Sequence, residues 1–192
     1  AASQLKILKS SIRLLISTPK GNLTKIMILK VPFSHRSEEP EKSVLYVVGT
    51  PIGNLSDISL RAIKILKKSS IILCEDTRTT KKLLNHLEIS NKLISFNQHN
   101  CKDKIPFVIS ELSKGKSIAL VSEAGTPLIS DPGESLVKEA RFNKLEVISI
   151  PGPCSLISAL VISGLPCSKF VFYGFVPKST KDRKKILFEK KD

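Results

Sequence analysis

The sequence predicts an α/β protein with a mainly parallel sheet flanked by helices. Three observations carry that expectation. Short apolar or β-branched runs alternate with amphipathic stretches at helical spacing from Val44 onward. Glycine- and proline-rich loops follow the runs rather than joining them as tight hairpins. The length of 192 residues suits one domain, or one and part of another.

The elements follow in chain order. Val44–Val48 is a strand ending at Gly49. Ser59–Lys67 places Leu60, Ile63 and Leu66 on one helical face, with Asp57 available as a cap. Ser70–Cys74 is a second strand, followed by a helix near Thr79–Leu87. Leu93–Phe96 is a short third strand and Ile105–Leu112 a helix. Ser117–Val121 is a fourth strand, leading through a long Gly/Pro loop to a helix over Glu134–Phe142. Leu145–Ile150 is a fifth strand, broken by Pro151-Gly152-Pro153, with a helix over Ser155–Ile162. Phe170–Phe175 reads as a sixth.

Composition narrows the function classes. The chain has 31 Lys+Arg against 17 Asp+Glu, net +14, with 41% apolar and 25% charged residues. These fractions exclude collagen, wholesale disorder and a disulfide miniprotein. No apolar run approaches the roughly 18 residues of a membrane span, so no membrane partner is expected. Aromatics are 5% and Trp is absent, which disfavours a base-stacking sheet. The basic balance is the footprint of a polyanion, usually nucleic acid, or else an ordinary lysine-rich surface. The four cysteines (Cys74, Cys101, Cys154, Cys167) form no CxxC and the three histidines no HExxH. Metal-ligand spacing is therefore missing, and a reduced, cytoplasmic setting fits.

Residues 1–43 form a basic extension, expected to lack stable structure. Residues 1–37 contain seven Lys/Arg, no acidic residue and several serines. A start at Met27, the only methionine, would make the preceding residues upstream read-through. An organelle transit peptide and an RNA-binding arm are the alternatives.

Four informative loops share one position, the carboxyl end of a strand. They are Gly49-Thr50-Pro51-Ile52-Gly53-Asn54, Glu75-Asp76-Thr77-Arg78, Ser122 to Gly133, and Pro151-Gly152-Pro153-Cys154-Ser155. Open α/β sheets bind ligands there. A Walker loop is absent and Gly49…Gly53 is not GxGxxG. Pro51 lacks the N–H of a phosphate cradle, and Glu123 would repel phosphate. A ligand with ribose hydroxyls and a positive centre tolerates such loops better. S-adenosyl-L-methionine has those features, although spacing alone does not name it.

The segments Val48 to Leu55, Glu75 to Arg78, Val121 to Gly133, Pro151 to Pro153 and Ser163-Gly164-Leu165-Pro166 occur in this order. Together they resemble the small-subunit ribosomal RNA methyltransferase I family, within the tetrapyrrole methylase superfamily. Glu123 stands where that family has Asp, and Cys154 and Ser155 where it commonly has Ser and Ala. The resemblance implies a tetrapyrrole methylase-like fold, with residues 44–152 as the N-terminal α/β methyltransferase domain and 153–192 as the beginning of a C-terminal α/β domain. It implies S-adenosyl-L-methionine as methyl donor, a cytidine ribose of small-subunit ribosomal RNA as acceptor, and a homodimer at full length. The 192-residue chain alone is expected to show at most trace activity.

Carried over residue by residue, Pro51, Glu123, Gly125, Thr126, Cys154 and Ser155 approach the cofactor. A cap on the following segment is the alternative role of Glu123. Glu75 and Asp76 are candidate acceptors for the hydroxyl proton, and Arg78 a phosphate or ribose clamp. An Asp76–Arg78 network that merely holds the loop is the plainer alternative. Asn54 and Asn100 are weaker substrate-binding candidates. A tetrapyrrole methyltransferase and a non-catalytic RNA- or cofactor-binding fragment remain as other functions, while an NTPase fails for want of a phosphate loop.

Overall fold

The computed structural model describes residues 12–17, 23–29 and 39–189. The chain divides into two compact units, 1–38 and 39–192. In the first, strands β1 (Ile12–Ser17) and β2 (Leu23–Leu29) pair antiparallel, with Leu14 opposite Met27. No strand was expected there. The β-branched and leucine-rich runs Ile12–Ser17 and Leu23–Leu29 supply two, since such side chains suit a pleated surface, while residues 1–11, 18–22 and 30–38 of the extension lie outside the described residues.

The second unit begins at Glu39 rather than at residue 44. The Glu39 carboxylate is buried and accepts from Arg61 Nε at 2.7 Å, and the Glu41 N–H donates to the Tyr46 hydroxyl at 2.7 Å. Both bonds attach the 39–43 segment to the α/β unit.

This unit contains strands β3 (Val44–Val48), β4 (Ile71–Cys74), β5 (Leu93–Ser95), β6 (Ile118–Val121) and β7 (Glu146–Ile150). They form one sheet in the order β5-β4-β6-β3-β7, every pair parallel. Intervening helices are α1 (Leu60–Lys68), α2 (Thr77–His86), α3 (Cys101–Ser113) and α4 (Glu134–Phe142). After β7 come α5 (Ser155–Ile162) and α6 (Thr180–Glu189).

A parallel sheet covered by helices has two buried faces, so its strands read as continuous apolar runs. Alternation then sorts the side chains. Val44, Tyr46, Val48, Ile72, Cys74, Ala119 and Val121 pack on one face with Ala62, Ile65 and Leu66 of α1 and Leu84 of α2. Leu45, Ile71, Leu73, Ile118 and Leu120 pack on the other with Val108 and Leu112 of α3 and Leu136 and Ala140 of α4. Right-handed crossovers explain the division. The chain moves outward from β3 to β4 to β5, then returns through β6 to β7, so the helix pairs fall on opposite faces. Adjacent strands β3 and β6 thus send their following helices to opposite sides, which opens a crevice at their carboxyl ends.

Three expectations need correction. The cap of α1 is Ser59, whose Oγ accepts from the Ala62 N–H at 3.1 Å, while Asp57 sits in a preceding 3-10 turn. Helix α3 starts at Cys101 and accommodates Pro106 as its sixth residue. Residues 170–175 are not a strand: no neighbouring strand pairs with them among the described residues, and Val171 is 72% and Phe175 88% exposed. An isolated extended segment has no ladder to complete, whatever its β propensity. Helix α6, in the basic tail, was not anticipated.

Candidate active site

The crevice is closed at its base by main chain. Thr50, just past β3, and Gly125, just past β6, exchange two backbone hydrogen bonds, N–H to O at 2.9 Å and 3.0 Å. Gly125 has φ +82°, which a side chain rarely adopts. The Thr50 hydroxyl donates to Ser122 O at 3.3 Å, and Ser122 Oγ donates to Gly125 O at 3.2 Å. On the other side, Gly49 and Gly152 bring the ends of β3 and β7 together so tightly that a Cβ on either would lie 2.9 Å from the other's Cα. Thr126 Oγ1 donates to Pro153 O at 3.4 Å, joining the β6 and β7 loops.

Two cavities flank this closure. The first, of about 250 Å³, is lined by Gly125, Thr126, Asp131, Cys154, Ser155 and Phe175, among others. The second, of about 220 Å³, lies toward α2 and is lined by Pro51, Leu55, Lys82, Leu83, Ser122 and Glu123, among others. The six residues expected at the cofactor line these two cavities. Gly125, Thr126, Cys154 and Ser155 stand together, and Pro51 and Glu123 face the second cavity. Gly125, one partner of the Thr50–Gly125 bridge, lines the first cavity, and spacing in sequence does not reveal this division.

The neighbouring carboxylates differ in environment. Glu75, at the end of β4, has its pKa raised, first by burial, then by the negative charges of Glu123 and Asp131. Burial also raises Asp131. A chain of net +14 thus places three carboxylates around its crevice. Asp76 is the opposite case. It caps α2 by accepting from the Arg78 N–H at 2.7 Å, and it takes the Arg78 guanidinium through Nη2 at 2.7 Å and Nε at 3.2 Å. Those bonds from Arg78 hold the Asp76 carboxyl down to about 2. A carboxylate so engaged is a weak proton acceptor and a firm orienter of its arginine, whereas Glu75, with its raised pKa, is the more basic of the two.

The asparagines serve their own loops. Asn54 Oδ1 accepts from the Ser56 N–H at 3.0 Å and caps the 3-10 turn. Asn100 Oδ1 accepts from the Asn97 N–H at 2.9 Å, and its Nδ2 donates to Ser95 Oγ at 3.2 Å. Neither lines the two cavities. Conversely, Thr50, Ser122 and Asp131 were not singled out. Their signal was position alone, inside loops already marked by glycine and proline.

The donor set fits a nucleoside carrying a positive centre. Backbone polar groups, hydroxyls of Thr126 and Ser155, and apolar walls including Phe175 line one cavity, with carboxylates beside it. Among the described residues no group of three or more His, Cys, Asp or Glu is placed to hold a metal ion. Among them, too, no helix is long and apolar enough to cross a membrane.

Known proteins resemble this chain in sequence. The family model for tetrapyrrole (corrin/porphyrin) methylases matches residues 44–190. A protein of Halalkalibacterium halodurans named ribosomal RNA small subunit methyltransferase I is 48% identical over 154 residues, 80% of this chain and 53% of its own. The proteins of that name from Thermotoga maritima and Vibrio cholerae are each 50% identical, over 74% and 76% of this chain and 64% and 51% of theirs. The chain thus spans between about half and two thirds of the length of these relatives.

Proposed function

The chain belongs to the tetrapyrrole methylase family, and from that premise we propose that its whole protein methylates the 2′-hydroxyl of a cytidine ribose in small-subunit ribosomal RNA, with S-adenosyl-L-methionine as donor. One observation carries the reading: the loops after β3, β6 and β7 meet at the point where the sheet's connections diverge, beside carboxylates that suit a cation. The relatives' name supports the RNA substrate, and the net charge of +14 is consistent with it.

When bound, S-adenosyl-L-methionine supplies an electrophilic methyl on a sulfonium that is already a good leaving group. The protein's task is then mostly alignment, which can supply several kcal/mol, about 7–11 in the best-oriented systems. In this reading Gly125, Thr126, Cys154 and Ser155 hold the donor. Pro51 shapes the cleft from the β3 side, and Glu123 lends it negative charge. Glu75 accepts the proton that leaves the ribose hydroxyl, Arg78 holds an adjoining phosphate, and Asp76 positions Arg78. Asn54 and Asn100 stiffen the loops that meet the substrate. The protein would act in the cytoplasm, as a homodimer.

The test incubates the whole protein with methyl-labelled S-adenosyl-L-methionine and either small-subunit ribosomal RNA or a tetrapyrrole. Label in RNA, at a position that arrests reverse transcription at low nucleotide concentration, is expected. Label in the tetrapyrrole alone would overturn the substrate assignment.

A further inference from the structure

A groove of about 410 Å³ lies between α2 and β5, the edge strand of the sheet, apart from both cavities of the crevice. Arg78, Lys81, Asn85, Ser90 and Asn91 line it, and no carboxylate does. Arg78, Lys81 and Asn85 follow one another at spacings of three and four, which puts them on one face of α2. All three are exposed. Between residues 77 and 92 there are four Lys/Arg and one Glu.

Arg78 is held ready for an anion. Asp76 engages its Nε and Nη2, which fixes the guanidinium plane and leaves the Nη1 hydrogens for a second acceptor. The opposite end of the same landscape is acidic, with Glu75, Glu123 and Asp131 at the crevice. A polyphosphate chain is therefore disfavoured beside those three carboxylates and favoured along Arg78 and Lys81 of the adjoining groove. Helix α2 begins at the crevice, where Asp76 caps it, and the groove runs along its length. A strand lying there would keep its phosphates on the basic face while offering one ribose to Glu75.

We infer that the α2–β5 groove is the docking track for the phosphate backbone of single-stranded RNA. The inference rests on the RNA-methylation reading and deepens it by naming the surface that receives the substrate. Recognition of unpaired RNA also needs no groove readout of a duplex.

The experiment compares the full chain with Lys81→Glu and with Lys138→Glu, which makes the same charge change at an exposed position of α4, on the other face of the sheet. The probe is a fluorescein-labelled single-stranded RNA of mixed sequence, titrated by anisotropy at several salt concentrations. Calorimetry with S-adenosyl-L-methionine runs in parallel. Lys81→Glu should weaken RNA binding about tenfold and reduce the slope of log K against log salt by roughly 0.7 for the lost single-strand phosphate contact. Lys138→Glu should change RNA affinity less than about twofold, and neither variant should alter calorimetric binding of the donor. Equal weakening by both variants, or none by Lys81→Glu, overturns the groove. Failure of the unaltered protein to bind the donor would instead defeat the functional reading, and the RNA data would still decide the groove.

Discussion

Replacing Gly152 by alanine drives a methyl group into the backbone of a neighbouring strand end. The new Cβ would lie 2.9 Å from both Gly49 Cα and Gly49 O. Carbon atoms in favourable contact stay about 3.5–4.0 Å apart, so the two segments must separate by roughly 0.6 Å or more. Neither neighbour is a flexible side chain that can swing away. The separation stretches the 3.2 Å bond from Gly49 N–H to Ile150 O and pulls on the Thr50–Gly125 pair one residue further on. Overpacking of this kind costs about 1–3 kcal/mol. For a chain of this size each kcal/mol moves the melting temperature by about 2–4 °C, so Gly152→Ala should melt about 2–12 °C lower. Because the strained bonds form the base of the crevice, donor affinity should fall with it. Circular dichroism melts and calorimetry with S-adenosyl-L-methionine read both quantities. A variant that melts with the parent and binds the donor equally would refute the idea that these glycines set the crevice.

Other consequences follow from the carboxylates, loops and core. If Glu75 takes the hydroxyl proton, methyl transfer by the whole protein should fall as pH drops through its raised pKa. Glu123→Gln removes a negative neighbour, eases Glu75 ionisation and should move that acid limb to lower pH; an upward move would contradict the role. The same shift means the folded state binds a proton more readily than the unfolded chain, so ionised Glu75 destabilises at neutral pH. Glu75→Gln should therefore melt higher than the parent at pH 7 while losing turnover, and the two melts should converge well below pH 4.5, the ordinary value. Asp76→Asn, which can still cap α2, should lower turnover more than donor affinity, whereas Thr126→Val should chiefly weaken the donor, as separate kcat and binding measurements would reveal. Leu112→Ala, at a fully buried side chain beneath the sheet, should cost about 2–5 kcal/mol in a denaturant titration.

Much of the fold was legible because the physics is local. The strand cores were recognised to within a residue or so from apolar runs, and α4 and α5 have the bounds their sequence implied. What escaped depended on tertiary partners. Residues 170–175 carry the composition of a strand but lie against no sheet. The start of α3 was hidden because Pro106 reads as a helix boundary, although the turns before it are held by bonds such as Cys101 N–H to Asn97 O at 2.9 Å. The loops of the site were visible as clusters of glycine and proline. Their division between two cavities was not, since it is a tertiary arrangement of loops such as those that meet in the bridge between Thr50 and Gly125, 75 residues apart. The Asp76–Arg78 network offered as the plainer alternative is present, with the carboxylate holding both the backbone N–H and the guanidinium of Arg78. That engagement sets the Asp76 carboxyl near 2 and leaves that of Glu75 raised.

Donor binding at the carboxyl ends of β3, β6 and β7 is tested most directly by amide chemical shifts followed during titration with S-adenosyl-L-methionine. The largest changes should fall on Gly49, Thr50, Gly125, Thr126, Gly152 and Ser155, while the α2–β5 groove and the outer faces of α3 and α4 stay unmoved. Saturable shifts confined to those other surfaces, or no shifts at millimolar donor, would contradict it.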